Sequence, residues 1–268
     1  RKNLYTGGSF FLNKQNYQRA FTLFSAYIDC AEQPLFQSYG YTTKDKRLPS
    51  AAFYALYSGY RANDPVATLR YKDLAEADTA RLQLTLQYVA DTYRAQGDTI
   101  AYVSTLEKGF DKNPVSEYFF THLFDYRFQR GDTTQALTLC NRSLAINAKS
   151  KVAMLAKSAV LLTMQHYDEC VQLCDAIIAL DDSLADAYLN AGLAYFNQAV
   201  KIDNAPKHTR AERAKMLEFY RNSLKYMQTY RKLAPTRKDL WAMPLYTIYL
   251  NLNMGKEFME MDAIIKSL

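Results

Sequence analysis

No uninterrupted apolar run in this chain approaches the roughly 20 residues that a membrane-spanning helix needs, so no membrane span is expected. Glycine and proline are scarce, at 9 and 7 of 268 residues, and tryptophan occurs once. That scarcity leaves room for long helices and no low-complexity linker. The three histidines, His122, His166 and His208, are far apart, and no glycine-framed serine lies near them. Gly-x4-Gly-Lys-Ser/Thr, Gly-x-Gly-x-x-Gly and His-Glu-x-x-His are all missing, which removes the common phosphate-loop, dinucleotide and zinc-hydrolase signatures. Charge of neither sign dominates: 33 Lys and Arg stand against 27 Asp and Glu, a net +6. The densest basic stretch, Lys201 to Lys215, also holds Asp203 and Glu212. A nucleic-acid binder gathers its cations on one face, so no nucleic-acid partner is expected.

What the chain does have is aromatic residues, 22 Tyr and 14 Phe, and a period. Leu86, Phe120, Met154 and Tyr188 recur every 34 residues, as do Tyr93, Arg127, Leu161 and Tyr195. Gly97, Gly131 and Gln165 keep the same spacing, and so do Ala136 with Cys170 and Leu106 with Cys140 and Cys174. A fixed period of this length with two helical stretches per unit marks a helical repeat array. Stripes such as Val171, Cys174, Ile177 and Ile178 put one apolar face on each helix. Gly97-Asp98 and Gly131-Asp132 join a glycine able to end one helix to an N-cap for the next, giving a tight turn within a hairpin. Nothing reads as a strand. Length alone suggests two ordinary domains, but stacked hairpins need no single core, so residues 1–268 are expected to form one array.

These residues resemble the tetratricopeptide repeat family. The best match is Tyr188, Gly192 and Tyr195, followed by Gly8, Tyr17, Ala20 and Phe24 near the start, with Gly97 to Pro114 and Gly131 with Ala136 supplying further turns and second helices. The resemblance implies an all-α, right-handed superhelix of about seven hairpins. Its units span roughly 1–34, 49–82, 83–116, 117–150, 151–184, 185–237 and 238–268, the second and seventh being degenerate. It also implies a partner lying on the concave face of the first, or A, helices. Carried over position by position, that face comprises Tyr5 and Ser9, then Gln87, Asp91 and Arg94, then Tyr118, Thr121, Asp125 and Phe128. It continues through Leu155, Ala159 and Leu162 to Leu189, Leu193, Phe196 and Asn197. Thr121, Asp125, Leu155 and Ala159 stand where chaperone-binding members place lysine and asparagine, so that activity is not implied. An apolar, aromatic groove suggests a peptide or protein segment as ligand. The expected function is a non-catalytic interaction scaffold, and the alternative is a sensor module holding a small apolar ligand in the same groove.

Neither a cofactor nor a metal is expected. His166, Cys170 and Cys174 share one helix face, which is a poor tetrahedral cage, and Cys140, Cys170 and Cys174 fall in core slots where cysteine acts as a small hydrophobe. Cβ atoms four apart on a helix are also too distant for a disulfide. Two insertions break the period. Leu35 to Leu48 lengthens the link between the first two units, and residues 198–216 add length between the helices of the sixth, their flanks reading as extensions of both helices joined near Asn204-Ala205-Pro206. The second is expected to be a surface excursion, with a docking projection as the alternative. The start at Arg1, within a helical pattern, suggests that a segment upstream is missing. The resemblance to bacterial exported tetratricopeptide proteins makes a periplasmic or otherwise exported location the expectation, with the cytoplasm as the alternative.

Overall fold

The computed structural model describes residues 1–267, and among them there is helix and no strand. Seven helical hairpins follow one another. They are α1 (Lys2–Asn13) with α2 (Tyr17–Asp29), then, after a 3-10 helix (Pro34–Tyr39) and the short α3 (Tyr41–Lys44), α4 (Leu48–Arg61) with a broken second helix, α5 (Pro65–Leu69) and α6 (Lys72–Ala75). Next come α7 (Leu82–Gln96) with α8 (Thr99–Lys112), α9 (Glu117–Gln129) with α10 (Thr133–Ile146), and α11 (Lys151–Thr163) with α12 (Tyr167–Leu180). Last are α13 (Ala185–Asp203) with α14 (Arg210–Leu233) and α15 (Lys238–Asn251) with α16 (Gly255–Ile265). The chain divides into two compact units, Arg1–Leu123 and the residues from Phe124 onward, with the boundary inside α9.

In every hairpin except α13–α14 the turn is a left-handed backbone device more than a residue signature. Gly97 and Gly131 have φ of 75°, and Asp98 and Asp132 accept hydrogen bonds from the amides of Ala101 and Gln135. Gln15, Asn63, Gln165 and Asn253 hold the same left-handed conformation, with φ between 54° and 62°. Positions 63, 97, 131 and 165 keep the 34-residue period, whereas 15 and 63 are separated by 14 residues more, the length of the first insertion. A non-glycine residue here gives up roughly 1 to 2 kcal/mol, which the packed hairpin must offset.

In the first unit the core gathers Ala20, Phe24, Ala51, Ala52, Ala55 and Leu56, all fully buried. The second unit has one cluster around Cys170, Cys174, Ile177 and Ala191 and another around Tyr220, Met227, Trp241 and Leu245. Small residues sit where helices cross. A Cβ on Gly59 would lie 2.5 Å from the Thr68 amide nitrogen, so α5 can start against α4 only if residue 59 has no side chain. Cys140, Cys170 and Cys174 are buried thiols without a disulfide, as their core slots lead one to expect. Burial pushes the Cys140 thiol up to about 12. The contact with Cys174 and burial keep Cys170 protonated, its Sγ donating to the Ser158 carbonyl at 3.3 Å.

Residues 198–216 are not wholly a surface excursion. They extend α13 and α14 to 19 and 24 residues, and the expected joint near Asn204-Ala205-Pro206 is the loop between them. Lys207 to Lys215 are exposed, and Thr209 with Glu212 forms a capping box that starts α14. Ala199 and Met216, however, are buried in the cluster around Tyr220. The expectation is therefore corrected: the tip projects, while the base belongs to the core.

Candidate interaction surfaces

Asp91 organises the A-helix face of the first unit. It lies on α7, and one carboxylate oxygen accepts the Tyr118 hydroxyl of α9 at 2.7 Å and Arg94 Nη2 at 3.2 Å. The other accepts the Tyr60 hydroxyl of α4 at 3.2 Å. Three consecutive A helices thus meet at one carboxylate, which fixes their register by directional bonds where apolar packing alone would let them slide. Burial and the hydrogen bond to Asp91 raise the Tyr118 phenol well above its ordinary value, and burial with the Asp91 charge does the same to Tyr60. Both hydroxyls therefore stay protonated and remain donors. Tyr118 also packs edge-on to His122, with ring centroids 4.5 Å apart.

Beside this hub opens a cleft of about 400 Å³, floored by Thr68 and Thr92 and rimmed by Arg61, Asn63, Asp64 and Arg94. Arg94 is half exposed. A guanidinium carries five N–H donors, of which one bonds to Asp91, and Arg94 lines the cleft. Arg61 donates to the Tyr57 hydroxyl at 2.6 Å and lies 4.8 Å from the Tyr17 ring centroid, so two tyrosines that meet edge-on hold this part of the rim.

The remaining residues of the expected groove divide into exposed and packed ones. In the first unit Tyr5 is half-buried. Its ring sits edge-on to Phe24 and Tyr27 at 5.6 and 5.3 Å, and burial raises its phenol. Thr121 spends its hydroxyl on the Glu117 carbonyl within α9. In the second unit Asp125 is exposed, and Phe128 is half-buried, stacked on Phe124 at 5.3 Å. Leu155 and Leu162 pack partly on the cluster around Cys170. Leu193 and Phe196 lean on the neighbouring cluster, Phe196 edge-on to Tyr220 at 6.2 Å, and Asn197 is half-buried beside them. Leu189 is corrected from groove to core. It is 8% exposed and joins the cluster of Met227, Tyr230 and Trp241 from α14 and α15.

Tyr60 is the residue that sequence reading missed. It precedes Asp91 by 31 residues instead of 34, and its unit has a broken second helix, so alignment by period passes over it. A second cleft, lined by Arg1, Tyr39, Tyr41 and residues 44–47 at the first insertion, was missed as well, because no repeat position predicts it. Among the described residues no group of three or more His, Cys, Asp or Glu is placed to hold a metal, and no helix is long and apolar enough to cross a membrane.

No model of a known protein family matches the chain, and no curated protein is similar to it. Solved structures do resemble it. A tetratricopeptide repeat protein from Parabacteroides merdae is 13% identical, with a TM-score of 0.57 over 82% of this chain and 80% of that one. MamA from Desulfovibrio magneticus RS-1 is 17% identical, with a TM-score of 0.51 over 69% of this chain and 96% of that one. A monomeric mutant of IFIT1 with m7Gppp-AAAA is 12% identical, with a TM-score of 0.54 over 96% of this chain and 57% of that one. Paired helices, turns at a 34-residue spacing and these likenesses agree that the chain has the tetratricopeptide-repeat fold.

Proposed function

We propose that this chain is a non-catalytic scaffold that receives a segment of a protein partner along its A-helix faces. The observation that carries this reading is the Asp91 hub, where three successive A helices present a fixed carboxylate, two tyrosines and a half-free arginine beside an open cleft. Fixed donors on rigid helices suit recognition of a peptide backbone or side-chain carboxylate. The same geometry argues against acid–base chemistry. Asp91 already accepts three hydrogen bonds, which leaves about one of its four lone-pair sites, and no histidine or second carboxylate hydrogen-bonds to it to relay a proton. The alternative of a small apolar ligand is weaker, because Arg61, Asn63, Asp64, Asp91 and Arg94 make the cleft polar.

The test is cross-linked co-purification from the native host with a photo-reactive group at Ala95, repeated with Arg94→Glu. The wild-type chain should capture one protein that the variant loses at an unchanged melting temperature. Equal capture by both, or protection from hydrogen exchange confined to the B helices, would remove the A-helix reading. Protection over three or more hairpins marks an extended segment; protection over one marks a small ligand.

A further inference from the structure

We propose that the first inter-repeat connection, with Arg1 and Lys2, forms a separate cleft that docks an acidic segment of a protein partner. The cleft measures about 500 Å³ and is lined by Arg1, Lys2, Tyr27, Tyr39, Tyr41 and residues 44–47. Its single carboxylate is already used. Asp45 pairs with the Arg1 guanidinium at 2.7 Å, accepts the Tyr27 hydroxyl at 2.7 Å and accepts the Arg47 amide at 3.0 Å. The ion pair is 9% and 12% exposed, so it is part of the wall and its charges cancel. Lys2, Lys44, Lys46 and Arg47 stay on the exposed rim with no carboxylate within ion-pair distance among the described residues. Four cations around a cavity whose only anion is neutralised make a local positive potential, which draws acidic groups and favours them once docked.

The aromatic residues decide the class of partner. Gly40, at φ of 61°, turns the chain so that the Tyr39 and Tyr41 rings stack at 5.3 Å and 3°. Arg1 lies 4.0 Å from the Tyr41 centroid and 4.2 Å from that of Tyr27. Tyr41 and Tyr27 are therefore covered, and Tyr39, 58% exposed, is the ring left to meet a ligand. A single-stranded nucleic acid needs successive rings to stack its bases. A peptide needs only one aromatic wall beside cations for its carboxylates, which is what the cleft supplies.

The experiment measures fluorescence anisotropy of a short labelled peptide of alternating Glu and Phe against the intact chain. Binding should weaken as salt is raised and fall about tenfold in Lys44→Glu/Lys46→Glu, whose exposed positions leave the melting temperature unchanged. The milder Lys44→Gln/Lys46→Gln should fall between the two. Arg94→Glu should bind this peptide like the wild type, because its cleft is a different one, so this inference and the A-helix reading fail independently. Equal affinity for a Gln and Phe peptide would overturn the proposal. So would undiminished binding by the double variant, or tighter binding of a uridine oligonucleotide than of the acidic peptide.

Discussion

The two insertions obey opposite rules. The first, between hairpins, is broken into a 3-10 helix and the single turn of α3, and contacts from the preceding hairpin fasten it: Arg1 and Tyr27 on Asp45, and Leu48 buried at its end. The second, inside a hairpin, continues two helices and is closed by bonds within that same hairpin, the Thr209–Glu212 box and Tyr220 to Asp203 at 3.2 Å. Added length inside a hairpin can follow the existing helix axes, so each new turn satisfies its own backbone. Added length between hairpins must reverse the chain and still seat the next helix, so side chains have to position it. An insertion between repeats is thus where new polar geometry arises, and an insertion within a repeat mostly lengthens what is there.

The comparison breaks most severely if the second insertion proves fastened along its whole length. Replacing all of residues 198–216 with a short turn removes Met216 and Ala199 from the core. The expected loss is about 4 kcal/mol, from the transfer and cavity terms of a large buried side chain, read by denaturant unfolding of the chain. Next in size is the fastening of the first insertion. Asp45→Ala leaves the Tyr27 hydroxyl without its acceptor and the Arg1 guanidinium, still bonded to the Tyr27 carbonyl, without its counter-charge, at a cost of about 3 kcal/mol. A loss under about 0.5 kcal/mol would mean that Asp45 acts as an ordinary surface ion pair and that the contrast drawn here is false.

Legibility in the sequence follows the same division. Helices, hairpins and the small core slots were readable because side-chain size at those sites is forced by packing: Ala136, Cys140, Cys170 and Gly192 each stand where two helices meet. Gly97 and Gly131 announced their turns because glycine takes a positive φ without cost. Gln15, Asn63, Gln165 and Asn253 gave no such notice, since the surrounding hairpin holds the same backbone against the residue's own preference. Groove membership was the least legible. Leu189 shares its period with groove positions, yet α14 and α15 bury it, and that depends on how the next hairpin sits. Asp91 was found by position, but its partners Tyr60 and Tyr118 come from neighbouring helices at unequal spacings.

A smaller effect should come from removing only the tip. Joining Ile202 to Ala211 through a short turn keeps Ala199 and Met216 and sacrifices the capping box and the Tyr220 to Asp203 bond, about 1 kcal/mol together with the new turn. Far-ultraviolet circular dichroism should fall only by the residues removed, and a cooperative transition should persist. A loss approaching that of the full replacement would show that the exposed turns pack more firmly than their accessibility indicates.

The smallest expected effect separates the insertions by acid. Burial works against the charge of Asp45, but hydrogen bonds from Tyr27 and the Arg47 amide, with the Arg1 charge, outweigh it and hold the carboxyl below its usual value. A depressed folded value means that the unfolded chain binds the proton more readily. The stability from Asp45 is therefore fully present above the unfolded value of about 3.9 and is lost as the pH falls through it and below. Glu212 is depressed too, by bonds to the Thr209 amide and hydroxyl, but it is fully exposed and solvent screens it. The stability difference between wild type and Asp45→Asn should accordingly hold from neutrality to about pH 4 and shrink below it, whereas that between wild type and Glu212→Gln should change far less. Denaturant midpoints for both pairs across that range decide it. Equal pH slopes would place the two carboxylates in equivalent surroundings and erase the distinction between a fastened insertion and a free one.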